Sequence, residues 1–211
     1  MMSTRLEMWA QEISFLHCAL SLRERTQDDA AKLLVERMKI EDLFRRRRFL
    51  EEQDIEVAAR LRALWMDTEE ILLALAAKLE LLHARREFFL QARDALRQWK
   101  KNPSRVLTTA ADFGRLMERL SEVSGHPECE EILYELQELH LEIDAAEHEI
   151  MEIQLRREEL RIDAEELERR LQTIVEEIHL RLSTLFFGRP KAVASFFLSG
   201  KKPDPKAKNP I

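Results

Sequence analysis

Glycine and proline, the residues that most often interrupt helices, are scarce in this sequence. The 211-residue chain has four glycines and six prolines, and neither residue occurs before Pro103. Inside a helix, proline costs about 3 kcal/mol and glycine about 1 kcal/mol relative to alanine. Their absence permits helix across residues 1–102. It also argues against the turn-rich chain that a compact enzyme of this size usually has.

Cysteines and long apolar runs are scarce as well. Cys18 and Cys129 are the two cysteines and form no CxxC pair, which argues against a disulfide framework or a zinc cluster. The most apolar run, Ile71–Leu82, is interrupted by Lys78 and Glu80 and is shorter than the roughly 20 residues of a membrane-spanning helix. We therefore expect reduced thiols, as in a cytosolic or nuclear protein, and of these two locations we expect the cytoplasm.

Charged residues are abundant but unevenly distributed. They make up 35% of the chain, and hydrophobic residues make up 45%, a composition typical of long helices and too apolar for most disordered chains. Residues 128–187 hold 18 acidic and 6 basic side chains, a net charge of −12 in a chain whose total is −6. A uniformly basic nucleic-acid-binding protein is therefore not indicated, and we expect no nucleic-acid partner.

These features predict an all-α fold: long helices forming a coiled coil or an elongated antiparallel helical bundle, with a disordered C-terminal tail. Residues 1–102 are predicted to be helical. Helix-start signals at Thr26 and at Thr68 suggest breaks near residues 25–28 and 67–68, because a threonine oxygen can cap exposed backbone N–H groups.

Two stretches rich in proline and glycine divide the rest of the chain. Residues 103–127 are predicted to be a linker with one short helix and a left-handed glycine at Gly125. Residues 128–187 lack both glycine and proline and are predicted to be one coiled-coil helix. Residues 188–211 are predicted to be a flexible basic tail, rich in lysine and proline, which is either inert or a docking segment.

The strongest pattern in the sequence is an apolar seam in the 128–187 helix. Stepping alternately by four and three residues gives an average spacing of 3.5 residues, which keeps one face of a helix against a partner. Arg157 and Arg181 interrupt the seam, and each either fixes the register of packing or extends its long side chain to water. The predicted interaction residues of the seam are Ile132, Leu136, Leu139, Ile143, Ile150, Ile153, Leu160, Leu167, Leu171, Ile174 and Ile178.

Residues that could carry chemistry are present, but their spacing does not build a site. A His-Asp-His face, a His-Cys pair and two Glu-x-x-His pairs occur. Solvated helix faces or chance account for each of them. The His-Cys pair also falls short of the four ligands that a closed zinc site needs. We therefore expect no enzyme activity, no catalytic residue, no cofactor and no metal. The residues concerned are His140, Asp144 and His148; His126 and Cys129; Glu80 and His83; and Glu176 and His179.

One dense basic cluster stands out, formed by Arg45, Arg46, Arg47 and Arg48. It is either a solvated helix face with i,i+4 pairs such as Arg47 with Glu51, or a contact surface for an anionic membrane, acidic tubulin tails or an acidic helix.

Two stretches resemble the central coiled-coil region of the WHAMM/JMY family of actin nucleation-promoting proteins. The stretches are residues 79–94, beginning LELLHARRE, and residues 134–139, YELQEL. The resemblance implies membrane or microtubule attachment, with actin activation in a separate C-terminal module. This chain lacks the family's polyproline stretch, actin-monomer-binding helix and acidic terminus with tryptophan, so direct actin activation is not implied.

The sequence thus favours a non-enzymatic coiled-coil scaffold or adaptor that associates with a helical protein or with a second copy of itself, in the cytoplasm and with a link to the cytoskeleton. The alternative is a helical module that binds microtubules or anionic membranes, similar to a BAR domain or to the WHAMM/JMY attachment region.

Overall fold

The computed structural model describes residues 4–85 and 87–198, which contain seven α-helices, two short 3-10 helices and no strand. The all-α class and the long helices are confirmed. No helix in the described ranges is long and apolar enough to cross a membrane. The helices are α1 (Thr4–Ser21), α2 (Gln27–Ala84), α3 (Leu90–Lys101), α4 (Pro103–Val106), α5 (Ala110–Leu120), α6 (Glu130–Leu185) and α7 (Pro190–Ala194).

The chain divides into two compact units. Unit 1 contains the described residues of Met1–Leu50 and Arg156–Ile211, and unit 2 contains those of Glu51–Leu155. The long helices α2 and α6 contribute residues to both units.

Unit 1 is built from α1, the first part of α2, the last part of α6, and α7. Its α1 residues repeat at spacings of three and four and are all buried: Leu6, Trp9, Ile13, Leu16 and Leu20. They share a core with apolar residues of α2 and α6. Ion pairs from Asp29 to Arg181 and from Arg46 to Asp163 show that α2 and α6 are antiparallel in this unit.

The break expected near residues 25–28 lies where α1 ends and a short 3-10 helix, Glu24–Thr26, leads into α2. Thr26 does not act as the predicted cap for N–H groups. Its buried hydroxyl donates to the carbonyl oxygens of Leu20, at 2.6 Å, and Arg23, at 3.0 Å. It therefore contacts one carbonyl in the last turn of α1 and one just after α1, which is the opposite polarity from an N-cap.

The break suggested near residues 67–68 was wrong, since α2 continues through both positions. The Thr68 hydroxyl donates to the Leu64 carbonyl one turn earlier, at 2.8 Å, and the side chain is fully buried. A threonine can be accommodated inside a helix in this way.

Helix α2 instead ends at Ala84, so residues 1–102 contain an interruption that the sequence did not reveal. No glycine or proline marks it. The first turn of α3 is capped from a distance: the Glu122 carboxylate accepts from the backbone N–H of Ala92 at 2.9 Å. A helix start held by a residue 30 positions away leaves no local signal.

Unit 2 packs α3 and α5 against α2 and α6, and its core draws on all four helices. The α5 N-terminus carries a complete cap, in which the Thr109 hydroxyl accepts from the Asp112 N–H at 3.2 Å. In return, the Asp112 carboxylate accepts from the Thr108 hydroxyl at 2.5 Å and the Thr109 hydroxyl at 3.2 Å. These bonds, led by that of Thr108, hold the pKa of Asp112 at about 2, below its ordinary value of 3.8.

Gly114 lets α5 approach α6 closely. A Cβ atom at this position would lie 3.3 Å from Nε2 of His140. That ring nitrogen donates to the Ala110 carbonyl at 2.9 Å, and the ring packs edge-on against Phe113. The helix-weakening residue is therefore used where two helices meet.

The predicted flexible tail begins too early. Helix α7 and the residues after it pack on unit 1, where Val193, Phe196 and Phe197 are buried. The Leu198 N–H donates to the Glu12 carboxylate at 3.2 Å. Residues 199–211, which include the tail lysines, lie outside the described residues.

All of the predicted seam residues are buried or half-buried within the chain itself. In unit 1 they pack with α1 and α2, and in unit 2 with α2, α3 and α5. Arg181, an interruption of the seam, pairs with the buried Asp29 at 2.8 Å, while Arg157 is half-buried.

Truncating the seam should destabilise the fold. Leu171→Ala removes a side chain that is 0% exposed and should lower the free energy of unfolding by about 2–5 kcal/mol. Leu180→Ala on the same helix, where the side chain is 70% exposed, should change it by less than about 0.5 kcal/mol. Urea unfolding followed by circular dichroism measures both. If the loss of unfolding free energy for Leu171→Ala depended on protein concentration, the seam would be buried by a second chain and not by helices of the same chain.

Asp112→Asn should make acid stability less dependent on pH. Because the folded pKa of Asp112 lies below its unfolded value, its contribution to stability is present above pH 3.8 and is lost as the pH falls toward about 2. The difference in unfolding free energy between wild type and Asp112→Asn should therefore shrink over that interval. Unfolding curves at several pH values test this, and a constant difference would rule out the bonded carboxylate.

Candidate functional site

The chemical candidates named from the sequence do not converge. Within residues 4–85 and 87–198, no group of three or more His, Cys, Asp or Glu side chains could hold a metal ion. His140 turns to α5, as described above, while the exposed His148 ring lies 3.6 Å from Asp144. His126 contacts Glu87 at 2.8 Å, and Glu80 pairs with Arg93 and Arg97.

The four arginines of the cluster differ in exposure and in their contacts. Arg46 pairs with Asp163 of α6 at 3.4 Å, and Arg47 is half-buried. Arg45 and Arg48 are exposed and have no hydrogen bond or ion pair to a described residue. Two of the four arginines therefore remain available to an external anion.

A groove in unit 1 lies between α2 and α6 and has a volume of about 500 Å³. We call it the α2–α6 groove. Its apolar and charged lining residues are Val35, Met38, Lys39, Asp42, Leu43 and Arg46 from α2, and Asp163, Glu166, Leu167 and Arg170 from α6.

The α2–α6 groove is apolar at its base and at part of its mouth. Leu43 and Leu167 belong to the core of unit 1 and are nearly fully buried, so they form the base. Val35 and Met38 are half or more exposed although they line the same groove. Leu34, beside them, is also exposed. Contiguous apolar side chains left open to water mark surfaces that bind other molecules.

Charged side chains surround this apolar strip. The Arg170 guanidinium donates to both carboxylate oxygens of Glu36, with one contact at 2.7 Å. The Lys39 ammonium lies 3.2 Å from the same carboxylate. Glu36 is buried, so this arrangement holds α2 and α6 together beneath the groove.

A second exposed apolar stripe lies on α6 in unit 2. Tyr134, Leu141 and Leu155 are exposed and lie at multiples of seven residues, so they share one face. That face is opposite the buried seam. It is a convex stripe on one helix, whereas the α2–α6 groove has walls from two helices.

Sequence reasoning did not identify the α2–α6 groove. The available signal was that Leu34, Val35 and Met38 lie off the stripe of Leu33, Ile40 and Leu43, all of which are buried. Extra apolar residues beside a core stripe can belong either to a wider core or to a binding surface. Only the position of α6 distinguishes the two.

Comparison of the chain with protein-family models, with curated proteins and with solved structures gave no match.

Proposed function

We propose that this chain is a non-enzymatic helical association module that binds the apolar ridge of a partner helix in the α2–α6 groove. The observation that carries the proposal is the groove itself, with Leu43 and Leu167 at its base and Val35 and Met38 at its mouth. A helix that lays its apolar face into a groove between two helices is a recurrent mode of protein recognition.

The size and lining of the groove support a side-chain ligand. Its volume of about 500 Å³ falls in the range of pockets that bind compact apolar groups. The ten lining residues include no histidine, cysteine or serine, the side chains that most often serve as general bases and nucleophiles.

The proposal keeps the scaffold function predicted from the sequence but changes the surface. The seam of α6 is occupied by helices of the same chain, so a partner helix would meet the exposed apolar residues instead. The partner is another protein or a second copy of the chain. Sedimentation velocity of the wild type and of a groove variant distinguishes these two, since self-association through the groove would be lost in the variant.

Met38→Glu should weaken binding of an apolar helix. A suitable probe is a short fluorescent synthetic helix with one stripe of leucines and glutamine elsewhere. Placing a carboxylate at the mouth of the groove should raise its dissociation constant at least about tenfold, as loss of a central contact does at other interfaces. Fluorescence anisotropy measures the change.

Met66→Glu is the matched control. Met66 lies on the same helix, in unit 2, and is 67% exposed, close to the 62% of Met38. We expect the synthetic helix to bind this variant with a dissociation constant within about twofold of that for the wild type, because an isolated surface substitution has little effect. Equal weakening by both variants, or no binding of the probe by the wild type, would exclude the groove as a helix-binding site.

A second candidate function is binding to an anionic surface through α2. It is supported by the exposed Arg45 and Arg48 and by Phe49, which is 57% exposed and lies one turn from Arg45. Basic residues beside an exposed aromatic ring suit the headgroup region of a membrane. This candidate agrees with the attachment role implied by the WHAMM/JMY resemblance, and acidic tubulin tails offer similar chemistry.

If this candidate is right, a variant with Arg45→Glu and Arg48→Glu should lose binding to phosphatidylserine vesicles. Each basic residue near such a surface contributes about 1 kcal/mol, so reversing two charges should reduce partitioning at least about tenfold. The control variant, Arg62→Glu with Lys100→Glu, makes the same charge change at exposed positions of unit 2. Vesicle co-sedimentation compares them. Equal losses would show that only net charge matters.

A further inference from the structure

The basic and acidic residues that line the α2–α6 groove differ in whether they form ion pairs. Of its three basic lining residues, Lys39 and Arg170 share the buried carboxylate of Glu36. The third, Arg46, lies 3.4 Å from the carboxylate of Asp163. Every cation of the lining therefore already has an anionic partner inside unit 1.

Two anions of the lining have no such partner. Asp42 on α2 and Glu166 on α6 are exposed, and neither has a hydrogen bond or ion pair to any residue in the described ranges. They lie on the two helices that form opposite walls of the groove. An occupant of the groove thus meets one unpaired carboxylate on each side.

From this arrangement we infer that the partner is an amphipathic helix whose apolar anchor is flanked on both sides by lysine or arginine. The inference rests on the proposed function and names the chemistry of the partner. The anchor would cover Val35 and Met38, while the flanking cations would lie beside Asp42 and Glu166. Complementary charges at the rim of an interface mainly set which partner is accepted and how fast it associates.

The arginine cluster limits how basic that partner is. Arg45 lies one turn beyond Asp42 on α2, is exposed, and is not part of the lining. It would repel a helix that carries positive charge along its whole length. The groove therefore fits a helix with cations confined to the turns around its anchor, and a uniformly polybasic segment fits it less well.

The inference is tested with two versions of the leucine-stripe helix used above. They share the leucines and differ only in the residues that flank the stripe near its centre, which are lysine in one and glutamate in the other. We expect the full chain to bind the lysine version about fivefold or more tightly at low salt, because two exposed charge pairs form with one helix and two repulsions with the other. High salt should reduce this preference.

In the double variant Asp42→Asn with Glu166→Gln, the ratio of the affinities for the lysine and glutamate helices should fall close to one. The control, Asp67→Asn with Glu177→Gln, removes the same charge from exposed positions on the same two helices and should retain the preference. Circular dichroism and urea unfolding confirm that both variants are folded. A preference that survives in the Asp42/Glu166 variant, or one that is lost equally in the control, would overturn the inference.

Failure of the inference and failure of the proposed function give different results. If both helices bind equally and Met38→Glu weakens both, the groove binds helices without charge selection, and only the inference is overturned. If neither helix binds the wild type, the proposed function fails and the inference fails with it. Tighter binding of the glutamate helix would assign the opposite chemistry to the partner.

Discussion

The apolar seam of α6 has to be covered, and the helices that cover it determine the rest of the structure. An isolated helix gains little stability from its own hydrogen bonds, whereas each large apolar side chain removed from water contributes about 1.5–3 kcal/mol. In unit 1 the cover comes from α1 and α2, and in unit 2 it comes from α2, α3 and α5. A pattern that usually signals association between chains is here satisfied within one chain.

The same packing determines which charged side chains form ion pairs between α2 and α6 and which remain unpaired among the described residues. Buried carboxylates on α2, namely Asp29 and Glu36, pair with Arg181 and Arg170 of α6. A buried carboxylate left unpaired would cost several kcal/mol, so each of these arginines, although itself about half exposed, is held at its buried carboxylate. Asp42 of α2 and Glu166 of α6, in contrast, are exposed at the α2–α6 groove and form no ion pair with a described residue.

The sequence predicted the features that depend on local periodicity. The all-α class, the long C-terminal helix and the positive φ of Gly125 follow from spacing and residue type. Features that depend on distant residues were not predicted. The Ala84 helix end is one example, since Glu122 caps the following helix, and the packing of Phe196 and Phe197 is another. The groove belongs to the same class, because its walls are about 120 residues apart in sequence.

The two cysteines differ sharply in accessibility. Cys18 is exposed on α1, whereas Cys129 is fully buried in the core of unit 2, and burial raises the pKa of its thiol. Since the thiolate is the reactive form, a thiol reagent meets one sulfur immediately and the other only when its surroundings open. The rate at which Cys129 is alkylated therefore measures how often the core of unit 2 opens locally. Alkylation of Cys18 in the same chain serves as the internal reference.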